Sequence, residues 1–259
     1  MSASALIADV RSLLGGEPVF LAGSLVAEQT YGKVDAHSDV DLFVPTAQVM
    51  MTTGQLLLDN GYKLDDRFSR VWVRWKRYGF KSWHTNSLRL VSPSGMETNL
   101  VYKLTGGHPA SSLGQVLESF DFGLLGTGYD LESDTYRDMR PFLFPGLDPD
   151  GPLPLMPNKR SDWRNGFISR YNGLREVGRY AKYHERGYDM SAVKDDMVMG
   201  YFAAEMYLST HFDPAQQQLG QIYGAIALHI EADNIAQLVQ ASKELNYNDS
   251  LDEIMATLE

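Results

Sequence analysis

The stretch FLAGSLVAEQTYGKVDAHSDVDLFV, Phe20 to Val44, decides how the rest of the chain reads. The apolar run Val19 to Ala22 suits a short buried strand, and Gly23 and Ser24 break it at once. A helix-compatible segment follows; then Asp39 to Val44 alternates polar and apolar residues and stops at Pro45, as a strand does. Side chains of a strand alternate between faces, so Asp39 and Asp41 project from one face while Val40, Leu42 and Val44 go to the other. Two carboxylates held that close repel each other unless a divalent cation sits between them, which suits Mg²⁺, with Mn²⁺ as the alternative. Gly23 lets backbone approach a phosphate, and Ser24 adds a hydroxyl where unpaired N–H groups and the helix dipole favour anions. One segment thus offers a metal seat and a phosphate cradle. The plain alternative is a turn followed by an edge strand with two solvated aspartates.

Outward from this segment, Ser4 to Leu14 has the apolar spacing of a short amphipathic helix that ends at Gly15 and Gly16. Thr46 is placed to cap a helix running to Asn60, with Gly61 as its left-handed exit. From Arg67 to Tyr102 the period is two, in VWVRW, SLRLVS and METNLVY, and Pro93, Ser94 and Gly95 form a hairpin turn between the last two. Ser111 to Ser119 reads as a helix, and Phe120 to Asp130 (FDFGLLGTGYD) as one further strand or turn on the sheet. Six prolines between Pro141 and Pro157 mark a stretch without helix or strand. Beyond it, Phe167, Ile168 and Tyr171, then Val198 to Leu208, then Ile222 to Ile230 carry helical spacing. The expected fold is α+β: a small mixed sheet with helices over residues 1–140, a Pro-rich connector over 141–163, and a helical domain over 164–259.

Composition narrows the chemistry. The 259 residues are 44% hydrophobic, 22% charged and 11% aromatic, an ordinary globular balance that excludes disordered, collagen-like and coiled-coil chains. Without cysteine there are no disulfides, zinc knuckles, iron–sulfur clusters or thiol nucleophiles. A net charge of -10 removes the overall positive field of a non-specific nucleic-acid binder, so any polyanion must meet a local basic patch. No apolar run of membrane-spanning length occurs, and Asp9 and Arg11 interrupt the N-terminal pattern, so a cytoplasmic protein with no membrane partner is expected.

Gly23-Ser24 followed by Asp39-Val40-Asp41-Leu42-Phe43 resembles the signature of the DNA polymerase beta-like nucleotidyltransferases, over roughly residues 18 to 130. The resemblance implies a nucleotidyltransferase-type sheet and a third acidic residue on a later strand. In METNLVYK, Glu97 and Asn99 share one face, which makes Glu97 the expected third ligand beside Asp39 and Asp41 for two Mg²⁺ ions. Gly23, Ser24, Ser38 and Arg89 are the expected nucleotide-binding residues. ESFDFGLLGTGYD is similar to the RRDFTINALAYD block of the class II tRNA nucleotidyltransferases, the CCA-adding and poly(A) polymerase type, and METNLV to the strand before it. The paired arginines are absent, and Gly123 replaces the threonine. Asp121 in this block is the alternative third carboxylate, or else the cap of the turn after it.

Arg67, Arg70, Arg74, Lys76, Arg77, Lys81 and Arg89 fall in a window with no acidic residue, interleaved with Trp72, Trp75 and Trp83. That mixture suits backbone tracking and base stacking on a single strand, with Arg70, Arg74, Lys76 and Arg77 as acceptor-binding candidates, or equally a solvated strand face over core tryptophans. The expected activity is template-independent, Mg²⁺-dependent transfer of a nucleoside monophosphate from an NTP to an acceptor hydroxyl, first an RNA or tRNA 3′ end. A protein or small-molecule acceptor, or a catalytically inactive binding module, are the other readings.

Overall fold

The computed structural model describes residues 2–31, 39–65, 87–105, 108–148, 151–156, 170–234, 236–238, 255–256 and 258. The chain divides into two compact units, Met1–Phe120 with Leu124–Gly146, and Asp121–Gly123 with Leu147–Glu259. Among the described residues no helix is long and apolar enough to cross a membrane.

The first unit opens with α1 (Ala3–Leu14), where the Ser2 hydroxyl accepts the Ala5 N–H. Strand β1 (Phe20–Ala22) runs through Gly23 into α2 (Ser24–Tyr31), and β2 (Val40–Phe43) leads to α3 (Ala47–Asp59). Thr46 caps α3 by accepting the Val49 N–H at 3.1 Å, and Gly61 leaves it at a φ of 84°, so both ends form where the sequence puts them. Next come β3 (Lys63–Leu64), β4 (Ser87–Val91), β5 (Glu97–Val101), the small ribbon of β6 (Leu104–Thr105) and β7 (His108–Pro109), and α4 (Leu113–Glu118). A hairpin of β8 (Thr127–Asp130) and β9 (Thr135–Asp138) and the short α5 (Arg140–Leu143) complete the unit.

Among the described residues seven strands form one sheet in the order β3-β4-β5-β2-β1-β8-β9. Among these described strands β2 and β5 run parallel, and the other pairs are antiparallel. This is the mixed α+β architecture expected from the sequence. Alternation along the strands assigns the layers. Leu21, Val40, Leu42, Leu88, Leu90 and Leu100 are buried against Leu6, Ile7, Val10 and Leu14 of α1, Leu25 and Val26 of α2, and Met50 and Leu57 of α3. Phe20, Ala22 and Phe43 point the other way and pack on Leu113, Val116 and Leu117 of α4.

In the second unit the described helices are α6 (Arg170–Glu185), α7 (Ser191–Ser209) and α8 (Pro214–Glu231). The helical C-terminal region expected from the spacing is present. Tyr201 and Tyr223 meet edge to face at 5.4 Å, fully buried, and the Tyr201 hydroxyl donates to the Gly173 carbonyl at 2.5 Å. Gly173 is required there: the place of its missing side chain is filled by the Tyr223 ring.

Two elements differ from the sequence reading. The edge strand β9 (TYRD) is mostly exposed and lacks the apolar alternation that betrays a half-buried strand. The prolines do not exclude a helix after residue 140, because Pro141 occupies the first turn of α5, where no N–H partner is lost. The strand expected around VWVRW lies outside the described residues.

Polar clamps hold the β8–β9 hairpin down. Arg11 donates to both oxygens of Asp134, each at 2.9 Å, and lies over the Tyr129 ring. Arg140 donates to Asp138 at 2.6 and 2.8 Å and to the Tyr31 hydroxyl at 2.5 Å, tying β9 to the end of α2. Burial alone would raise the Asp138 carboxyl, but the Arg140 hydrogen bonds outweigh it and hold the group below its ordinary range. A lowered folded-state pKa gives stability that is present above the ordinary carboxylate range and lost as pH falls through the lowered value. Asp138→Asn is therefore expected to cost about 1–2 kcal/mol near neutrality and to flatten the acid limb of the stability curve, read by urea titration across pH.

Candidate active site

The registers of β1, β2, β5 and β4 place Ala22, Asp41, Asn99 and Arg89 in a single row across the sheet, with Gly128 of β8 continuing it beyond Ala22. Their neighbours Leu42, Leu100 and Leu90 turn into the helix-covered core, so the row lies on the opposite face. Toward the other end of the strands that same face becomes apolar, with Phe20, Phe43 and Val101 under α4. One sheet face is thus hydrophobic where α4 covers it and charged where β1 ends.

Gly23 sits at that end with a φ of 94°, a conformation L side chains rarely adopt. A Cβ added there would lie 2.6 Å from Asp41 Oδ2. The Asp41 carboxylate therefore rests directly on the turn that opens α2. Ser24, the first residue of α2, is 4% exposed, and the Gly23 carbonyl accepts the Ala27 N–H at 3.2 Å.

One amide gathers the two aspartates. Asn99 Nδ2 donates to Asp39 Oδ2 at 2.5 Å and to Asp41 Oδ1 at 3.0 Å. Ionised carboxylates only accept, so the nitrogen end of the amide must face them. Two acidic oxygens within 3.0 Å of one positively polarised group form an oxygen donor set that suits a hard divalent cation held by two carboxylates and completed by water or phosphate.

Glu97 is not gathered with them. It lies on the same strand face as Asn99, but its carboxylate is 3.7 Å from Arg89 Nη1, with both side chains substantially exposed. Among the described residues no group of three or more His, Asp or Glu is arranged to hold a metal ion. The parallel register puts residue 99, two positions after Glu97, opposite Asp41. Asn99 is thus the residue whose part the sequence reading missed; its signal was its place on the Glu97 face of METNLVYK.

Asp121 belongs to the second unit, where it is 3% exposed and ion-paired with Arg179 of α6, whose guanidinium also lies 3.9 Å from Glu176. A carboxylate buried to this degree needs such a partner. Ser38, Arg70, Arg74, Lys76 and Arg77 lie outside the described residues. A cavity of about 290 Å³ opens on the far, helix-covered side of the sheet, bordered by Asp9, Val10, Val40, Tyr62 and Thr98, and contains none of the predicted site residues. Burial, with the Asp9 charge adding to it, pushes the Tyr62 hydroxyl up.

Comparison with protein-family models and with curated proteins gives no match. Among solved structures, a tRNA-processing enzyme in an apo form is 10% identical at a TM-score of 0.41, covering 98% of this chain and 77% of that one. A CCA-adding enzyme in complex with CTP is 13% identical at a TM-score of 0.42, covering 98% of this chain and 66% of that one. The Thermotoga maritima CCA-adding enzyme complexed with tRNA is 13% identical at a TM-score of 0.42, covering 97% of this chain and 66% of that one. The chain thus spans about two thirds of the length of both CCA-adding enzymes.

The packing of Gly23 on Asp41 makes a stability prediction. Gly23→Ala should destabilise the fold by about 1–3 kcal/mol through backbone strain and the displaced carboxylate. Combining it with Asp41→Ala removes the clash but not the strain, so a double-mutant cycle in denaturant should give a favourable coupling of about 1 kcal/mol. Strict additivity would mean that the two residues do not touch.

Proposed function

We propose that this chain is a metal-dependent nucleotidyltransferase that moves a nucleoside monophosphate from an NTP to an acceptor hydroxyl without a template. The observation that carries the reading is the contact of the Asp41 carboxylate with the Gly23 turn at the start of α2. It joins the cation-binding and anion-binding halves of the segment Phe20–Val44 into one place, as the resemblance to the polymerase beta-like family implies.

In this reading Asp39 and Asp41 hold Mg²⁺, which when bound neutralises the triphosphate and lowers the pKa of the acceptor hydroxyl. Gly23 leaves the strand exit bare of a side chain, and Ser24 and the first N–H groups of α2 receive the β and γ phosphates. Arg89, in the same cross-sheet row, supplies positive charge for the nucleotide, and Glu97 orients Arg89 through their ion pair. Asp121, paired with Arg179, has a structural part. The protein contributes mainly positioning and fixed charge, which is what phosphoryl chemistry asks of it. We propose an RNA or tRNA 3′ end as acceptor, because Arg70, Arg74, Lys76 and Arg77 with the neighbouring tryptophans give this acidic chain a dense basic and aromatic window that holds no acidic residue.

The test is transfer of label from each α-³²P NTP, with Mg²⁺ and with mixed tRNA, unrelated protein or no added acceptor. Label should move to RNA, and Asp41→Asn should reduce transfer by at least about 10²-fold while leaving the protein folded. Label on protein would redirect the acceptor assignment. Absence of transfer together with absence of metal-dependent NTP binding would replace the enzyme by a binding module.

A further inference from the structure

Asn99 stands between Asp41 and Arg89 in the cross-sheet row, and its amide has two chemically different ends. The nitrogen end bridges Asp39 and Asp41, and among the described residues nothing donates to the oxygen end. Without a cation this is the arrangement electrostatics demands: one neutral group answers two like charges by giving each an N–H. With a divalent cation between the aspartates the same N–H groups would face a positive ion, and the arrangement becomes repulsive.

Building on the nucleotidyltransferase reading, we propose that Asn99 is a positioning residue that serves both states by turning its amide. In the cation-free protein its N–H groups hold the aspartates together. When a divalent cation binds, the amide makes a half-turn about its Cβ–Cγ bond and presents Oδ1 as a third, neutral oxygen ligand. The torsion is broad and roughly two-fold, so the turn costs little. Amide oxygens are ordinary ligands for hard cations. A neutral third ligand adds nothing to the charge of the two carboxylates, where a third carboxylate would add a further negative charge. A second ion therefore enters only with the negative charge of the nucleotide.

The test uses the full chain and Mn²⁺ as probe, followed by electron paramagnetic resonance without nucleotide, with thermal unfolding as a control for folding. Wild-type protein should bind one Mn²⁺, and adding a non-hydrolysable NTP analogue should recruit a second. Asn99→Ala should weaken the nucleotide-free affinity about tenfold, and Asn99→Asp should tighten it about tenfold while lowering the cation-free melting temperature. In ¹⁵N spectra, the side-chain amide signal assigned through Asn99→Ala should shift when diamagnetic Mg²⁺ is added. If Asn99→Ala binds Mn²⁺ as tightly as wild type, or more tightly, the amide is a bystander or a competitor and the inference falls, while loss of binding in Asp41→Asn keeps the nucleotidyltransferase reading intact. If wild-type protein binds no Mn²⁺ at all, both fall together.

Discussion

The local architecture turns on the repulsion between Asp39 and Asp41. Two carboxylates on one short strand are unfavourable in isolation, and the fold meets them with an amide from the adjacent strand and a bare glycine on the opposite side. Both answers depend on register. Sliding β5 by one residue would bring Thr98 or Leu100 to face Asp41, and the carboxylates would lose their bridge. The leucines behind the sheet prevent this, since the same slip would carry Leu100 out of the core. Apolar packing on one face thus enforces polar geometry on the other.

The division of labour on the exposed face follows the same logic. Phe20, Phe43 and Val101 are covered by α4, whereas Ala22, Asp41 and Asn99, two residues along their strands, are not part of that packing except for the small Ala22. Gly128 continues the row with no side chain, and a Cβ there would meet Leu113 at 2.8 Å and the Leu21 carbonyl at 2.9 Å. The sheet is narrowest in side-chain bulk next to its most charged pair.

Much of the fold was legible because it is written in short-range patterns. The Thr46 cap, the Gly61 exit, the Ser-Pro-Ser-Gly turn between β4 and β5, and the period-two runs SLRLVS and METNLVY all act within a few residues. Strand β9 was not legible, since its exposed residues carry no apolar alternation and the clamps beside it, Arg11–Asp134 and Arg140–Tyr31, join residues more than a hundred positions apart. The candidate site divides similarly. The convergence of Asp41 on Gly23 was readable from strand–turn–strand order, but whether residue 97 or 99 meets the aspartates depends on a parallel register that no single strand encodes. The ion pair of Asp121 with Arg179 spans a comparable gap in sequence.

The order of groups along the cross-sheet row gives this surface a direction. Reading from β2 through β5 to β4, the side chains pass from acid to neutral amide to base. Any guest that carries a cation at one end and an anion at the other meets a matching gradient in one orientation and an opposed one in the reverse. The sense of this acid-to-base order is set by the hydrogen-bond pairing of the backbone, so it would reverse only if the order of the strands did.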